Sequence, residues 1–86
     1  MKGRMVQSKA GHDAGELYII VGQENENVIL ADGVTRTLQK PKKKNKKHIE
    51  IVMSEPAMEI TQDILEKKRS GDEAVRRKIA EYRKHI

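Results

Sequence analysis

No apolar run in this 86-residue chain exceeds five residues, the stretch Leu-Tyr-Ile-Ile-Val at 17–21. A run that short can cross a small core as a strand, but a bilayer span needs roughly 20 consecutive apolar residues. Around it, residues 3–38 are rich in Val, Ile, Leu, Thr and Gly, the pattern of short strands joined by tight turns. Residues 40–48 are almost pure charge, Lys-Pro-Lys-Lys-Lys-Asn-Lys-Lys-His, and residues 55–86 switch to helix formers. The chain therefore reads as mainly β with a helical end, divided into 1–53 and 54–86, within the size of one small domain. No repeat of 20 or more residues is visible.

Punctuation places the strands. Residues 4–8 form a first short strand, ended by the loop Ala10-Gly11-His12-Asp13-Ala14-Gly15, whose two glycines suggest positive φ or a close backbone approach. The run at 17–21 suits a strand with little solvent on either face. Glu24-Asn25-Glu26-Asn27 is a polar turn, and Val28-Ile29-Leu30-Ala31 leads into Asp32-Gly33. An Asp-Gly pair between two β-forming runs predicts a hairpin, with residues 34–38 as its second strand. Residues 49–53 make a fifth strand. Five short strands in about fifty residues fit a small, strongly bent antiparallel barrel better than an open sheet with exposed edges.

The tail predicts one or two short helices. Pro56 is tolerated in a first turn with Ser54 or Glu55 as the cap, and Thr61 is a competing start. Ala57, Ile60 and Ile64 share one face. Ser70-Gly71-Asp72 predicts a break, with Gly71 at the helix end and Asp72 capping the next helix. There Val75, Ile79, Tyr82 and Ile86 make an apolar stripe, with Glu73 and Arg77 as an i,i+4 pair on the other side. A helix of about 13 residues is marginal alone in water, so the stripe must dock on the barrel or on a partner.

Residues 3–21, Gly-Arg-Met-Val-Gln-Ser-Lys-Ala-Gly-His-Asp-Ala-Gly-Glu-Leu-Tyr-Ile-Ile-Val, resemble the KOW motif: a short strand, a glycine-bearing loop, then an apolar strand. Val28-Ile29-Leu30-Ala31-Asp32-Gly33, a basic segment and a further apolar strand extend the likeness over roughly residues 3–53. The whole resembles the short bacterial KOW-domain RNA-binding proteins, which are similar to an archaeal and eukaryotic large-subunit ribosomal protein family. That resemblance implies an SH3-like barrel and RNA, commonly ribosomal RNA, as ligand. Ala14 stands before the motif glycine Gly15, where many members carry a basic residue, and the helical tail lies outside the shared region.

The charges point the same way. Eighteen Lys+Arg against thirteen Asp+Glu leave a formal charge of +5, which favours a polyanionic partner. Lys40, Lys42, Lys43, Lys44, Lys46 and Lys47 are mobile point charges that can meet phosphate without one fixed geometry, and His48 follows them. Six such contacts would give a log-log salt slope on the order of −5. The same run also serves as a solvated loop or as a guard on a sheet edge. Lys9, Gly11 and His12 offer a second contact at the first loop, where backbone amides approach phosphate; the loop reads equally as a structural turn whose glycines only satisfy geometry while Asp13 caps local amides. Arg4 and Arg36 are lesser candidates, and Arg36 could equally pair with a carboxylate. Single-strand readers stack bases on exposed aromatic rings. The only aromatics, Tyr18 and Tyr82, both sit inside apolar patterns, so recognition of folded RNA through phosphates, 2′-hydroxyls and shape is expected.

Other chemistries lack a basis. With no cysteine there is no disulfide framework or thiolate metal cage, and His12, His48 and His85 have no ligand spacing, so neither metal nor cofactor is expected. No nucleophile elbow or P-loop is present, and a barrel this small offers no substrate pocket. The sequence thus predicts a cytoplasmic, non-catalytic RNA-binding module without a small-molecule substrate or a membrane partner. The alternative is an adaptor that engages ribosomal or transcription proteins through the barrel and the amphipathic tail.

Overall fold

The computed structural model describes residues 2–53 and 55–84. Five strands, β1 (Met5–Ser8), β2 (Leu17–Glu24), β3 (Asn27–Ala31), β4 (Lys42–Asn45) and β5 (Ile49–Ile51), precede two helices, α1 (Gln62–Glu66) and α2 (Lys68–Arg83). All pairings are antiparallel, in the order β4-β3-β2-β1-β5. The architecture is mainly β with a helical C-terminal part, as the sequence predicts. Laid flat, five strands would hold β4 and β5 about 19 Å apart. The single 3₁₀ turn that joins them, Lys46–His48, spans only about 8 Å. The sheet must therefore roll until its two edges nearly meet, while the Lys9 N–H donating to the His48 carbonyl at 2.8 Å carries the β1–β5 ladder up to that turn.

Rolling gives the sheet two apolar faces. Val6, Tyr18, Ile20, Val28, Leu30 and Ile49 pack together on the inner face. Met5, Leu17, Ile19 and Ala31 point outward and join Leu38, Leu65, Val75 and Ile79 in a second core, so the helical part shares its core with the sheet. This explains why residues 17–21 show no alternation: Leu17, Tyr18, Ile19 and Ile20 are all buried. A bulge at Val21 ends that segment. The stripe of α2 docks on the sheet through Val75 and Ile79, with Tyr82 half-buried beside them; Ile86 lies outside the described residues.

Three expectations are corrected. First, no hairpin forms at Asp32-Gly33; the tight turn lies in the expected polar segment 24–27, where Asn25-Glu26 joins β2 to β3 with Asn25 at φ 56. Asp32-Gly33 instead opens a compact loop, because the Asp32 carboxylate accepts from the N–H groups of Val34 and Arg36 at 2.9 and 2.8 Å. Residues 34–38 consequently form no strand. Leu38 drops into the outer core and its N–H donates to Asp72 at 2.8 Å. Second, the strand beside β3 is the lysine run, which is therefore no loop. Third, α2 runs through Ser70-Gly71-Asp72, and the chain breaks instead at Lys67 (φ −89, ψ 80). Thr61 is the cap of α1, its hydroxyl accepting from the Ile64 N–H at 3.2 Å, while Ser54 lies outside the described residues. Glu73 and Arg77 form no ion pair.

Gly71 stays in the helix for lack of room: an added Cβ would sit 2.7 Å from the Ile64 carbonyl oxygen and collide with Leu38. Helix propensity alone predicts that Gly71→Ala stabilises by about 1 kcal/mol. We expect a net destabilisation of about 1–3 kcal/mol from overpacking, read by urea denaturation; a gain in stability would refute this packing.

Candidate nucleic-acid interface

Strand period splits the lysine run. In the β3–β4 register Leu30 faces Lys42 and Val28 faces Lys44, so these two lysines share the inner face with apolar partners. Lys43 points the other way. An ammonium on an apolar face needs a carboxylate, and the β1–β2 loop supplies Asp13. Its Oδ2 lies 2.6 Å from Lys42 Nζ and its Oδ1 2.7 Å from Lys44 Nζ. The Ser8 hydroxyl donates to Oδ1 at 2.9 Å and the Tyr18 hydroxyl to Oδ2 at 3.1 Å. Lys44 completes its three donors on Ser8 Oγ and the Ala10 carbonyl, both at 2.8 Å, and its side chain is only 11% exposed.

Burial by itself would raise the pKa of Asp13, but hydrogen bonds from Lys42, Lys44, Ser8 and Tyr18 outweigh it and hold the carboxyl well below the usual carboxylate range. Burial and the bond to Asp13 push Tyr18 up to about 12. The cluster thus holds the first loop across the inner face, tying β1, β2 and β4 to one anion. Gly11 and Gly15 both take positive φ, 87 and 92°, as the loop requires. The N–H groups of Ala14, Gly15 and Glu16 bond within the loop, to Gly11, Ser8 and Asp13 carbonyls.

The remaining candidates are distributed as follows. Lys43 pairs with Glu24 at 2.9 Å and Lys46 with Glu26 at 3.7 Å, both contacts in solvent. Such exposed pairs contribute between 0 and about 1 kcal/mol. Lys9, Lys40 and Lys47 are exposed and have no carboxylate within salt-bridge distance among the described residues. His12, Arg36 and Lys42 border one shallow cleft of about 340 Å³ with Asp13 and Tyr18. Gly11 is exposed, His48 is half-buried in the turn before β5, and Arg4 precedes β1 away from any ion pair. His85 lies outside the described residues. Among those described, no helix is long and apolar enough to cross a membrane, and no group of three His, Asp or Glu side chains is placed to hold a metal.

Sequence reasoning missed Asp13 as an anchor. Two signals were available: Asp13 is the sole acidic residue before Glu16, and Lys42 and Lys44 stand at the two-residue spacing that puts both on one face of a strand.

With its carboxyl held so acidic, Asp13 contributes stability that is complete above about pH 5 and fades as pH falls below that value, because the unfolded chain then binds the extra proton. Asp13→Asn should cost about 3 kcal/mol near neutrality by leaving Lys42 and Lys44 uncompensated. In urea denaturation the gap to the natural protein should narrow as pH drops from about 5 to about 2. A gap constant through that window would contradict the cluster.

No protein-family model matches the chain, and no curated protein matches it, so its reading rests on its own residues and their geometry.

Proposed function

We propose that the protein is a non-catalytic, cytoplasmic RNA-binding module that docks on structured RNA, with ribosomal RNA the class implied by the KOW resemblance. One observation carries this reading: Lys40, Lys43, Lys46 and Lys47 project from or beside a rigid edge strand with only two weakly held carboxylates, Glu24 and Glu26, against them. A phosphate chain displaces such exposed pairs at little cost. A lysine-rich edge also keeps other strands from adding to the sheet, which is compatible with binding RNA there. Lys9, Gly11 and His12 lie on the neighbouring loop, and Arg36 borders the same cleft as His12. Lys42 and Lys44 act as supports in this scheme rather than as phosphate ligands.

Base stacking has no evident platform, since Tyr18 is buried and Tyr82 half-buried. Shape, phosphate and 2′-hydroxyl contacts remain, which favour folded RNA over an unstructured strand. An adaptor role would need a surface other than the tail's apolar stripe, which is already covered by the sheet.

The test is filter binding of the full chain to fragmented bulk ribosomal RNA and to polyuridylate across a salt series. Four lysine contacts contribute about −3 to the log-log slope. The combined Lys40→Ala, Lys43→Ala, Lys46→Ala and Lys47→Ala variant should lose that contribution while melting as the natural protein does. Unchanged affinity and slope in the variant, or a preference for polyuridylate, would count against the reading.

A further inference from the structure

Beyond the lysine strand, a second group of cations lines a polar cleft between the loop at residues 32–39 and α2. Gly33 and Gln39 form the loop side of this cleft of about 400 Å³, and Lys68, Arg69 and Arg76 reach it from α2. All three are exposed, and none has a carboxylate within salt-bridge distance among the described residues. Two acids border the cleft, Asp72, whose carboxylate accepts from the Leu38 N–H, and the exposed Glu73, so the three cations outnumber the acids by one. Arg76 donates to the Gly33 carbonyl at 3.0 Å, which ties the loop to the helix.

Helix stability does not account for these charges. Lys68 and Arg69 occupy the first turn of α2, which contains no acid and no side-chain cap. Cations there oppose the helix dipole, at about 0.3–1 kcal/mol each. Lys68 also borders a cleft that contains Pro41, the residue after Lys40, so the α2 cations lie beside the start of the lysine run. The loop at residues 32–39 borders the α2 cleft through Gly33 and Gln39 and a further cleft through Asp32 and Arg36.

We infer that Lys68 and Arg69, with Arg76, form a second phosphate-contact surface, so that the helical tail takes part in gripping RNA that the lysine strand also meets. This inference rests on the RNA reading above and deepens it. The tail then has two faces with two duties: Val75 and Ile79 complete the core, and the cations around the cleft extend the binding surface across the loop.

Filter binding to fragmented bulk ribosomal RNA tests it, using Lys68→Ala/Arg69→Ala; both side chains are exposed on a helix, where alanine is well tolerated. The expected result is a salt slope shallower by about 1.5 to 2, at unchanged thermal stability. Lys78→Ala, which removes an α2 cation that lies off this cleft and is paired with Glu59, serves as the control and should leave the slope unaltered. If the natural protein binds RNA and the double variant keeps its slope, or if Lys78→Ala flattens it equally, the second surface is overturned alone. If the natural protein binds no RNA at low salt, the RNA reading falls and this inference with it.

Discussion

Everything in the inner half of this small sheet depends on one carboxylate meeting two ammonium groups. Lys42 and Lys44 stand on the face of β4 that looks into the rolled sheet, opposite Leu30 and Val28, and neither could remain there uncompensated. Asp13 arrives from a loop some thirty residues earlier in the chain and takes both, helped by the Ser8 and Tyr18 hydroxyls. The contact explains how a strand of three lysines and an asparagine holds its place at all. Such a strand has almost no apolar side chain to bury. Its position comes from ladder bonds to β3, lysine stems on the inner face and a largely shielded carboxylate that pairs with two of them.

The other face is closed by different physics. Met5, Leu17, Ile19 and Ala31 would be bare without the tail, and α2 covers them with Val75 and Ile79. The covering helix sits close because Gly71 lets Leu38 and the α1 backbone approach, and Asp72 secures the loop that brings Leu38 in. The sheet and the helical part therefore form one packed unit, with the loop at residues 32–39 as the hinge of the arrangement: it caps itself through Asp32, feeds the core through Leu38 and is held to α2 through Arg76.

Much of this was legible beforehand, and the failures share one cause. Residues 17–21 betrayed a strand buried on both faces, and Val75 with Ile79 betrayed a docked stripe, because in both places local pattern and tertiary environment agree. The Asp32-Gly33 pair misled because its hairpin preference yields to a side-chain cap and to the pull of Leu38 toward the helix. The lysine run misled because propensity places lysine outside strands, whereas here a distant carboxylate overrides it. Gly71 misled because a residue that ends helices can also serve where two backbones nearly touch. Of the candidate binding residues, Lys43, Lys47, Lys40 and Lys9 lie exposed as expected from their chemistry, with Lys46 half-buried beside them. Lys42 and Lys44 do not, because a distant carboxylate claims them.

That division gives the account its central claim: within one run of like residues, two ammonium groups are fixtures of the fold and four remain for phosphate. Side-chain nitrogen NMR of ¹⁵N-labelled protein reads every ammonium group separately. On titration with a structured ribosomal RNA fragment, the Lys40, Lys43, Lys46 and Lys47 signals should shift, while those of Lys42 and Lys44 keep slow proton exchange and unmoved positions. Lys42 and Lys44 shifting with the others, or none of the six responding, would contradict the account.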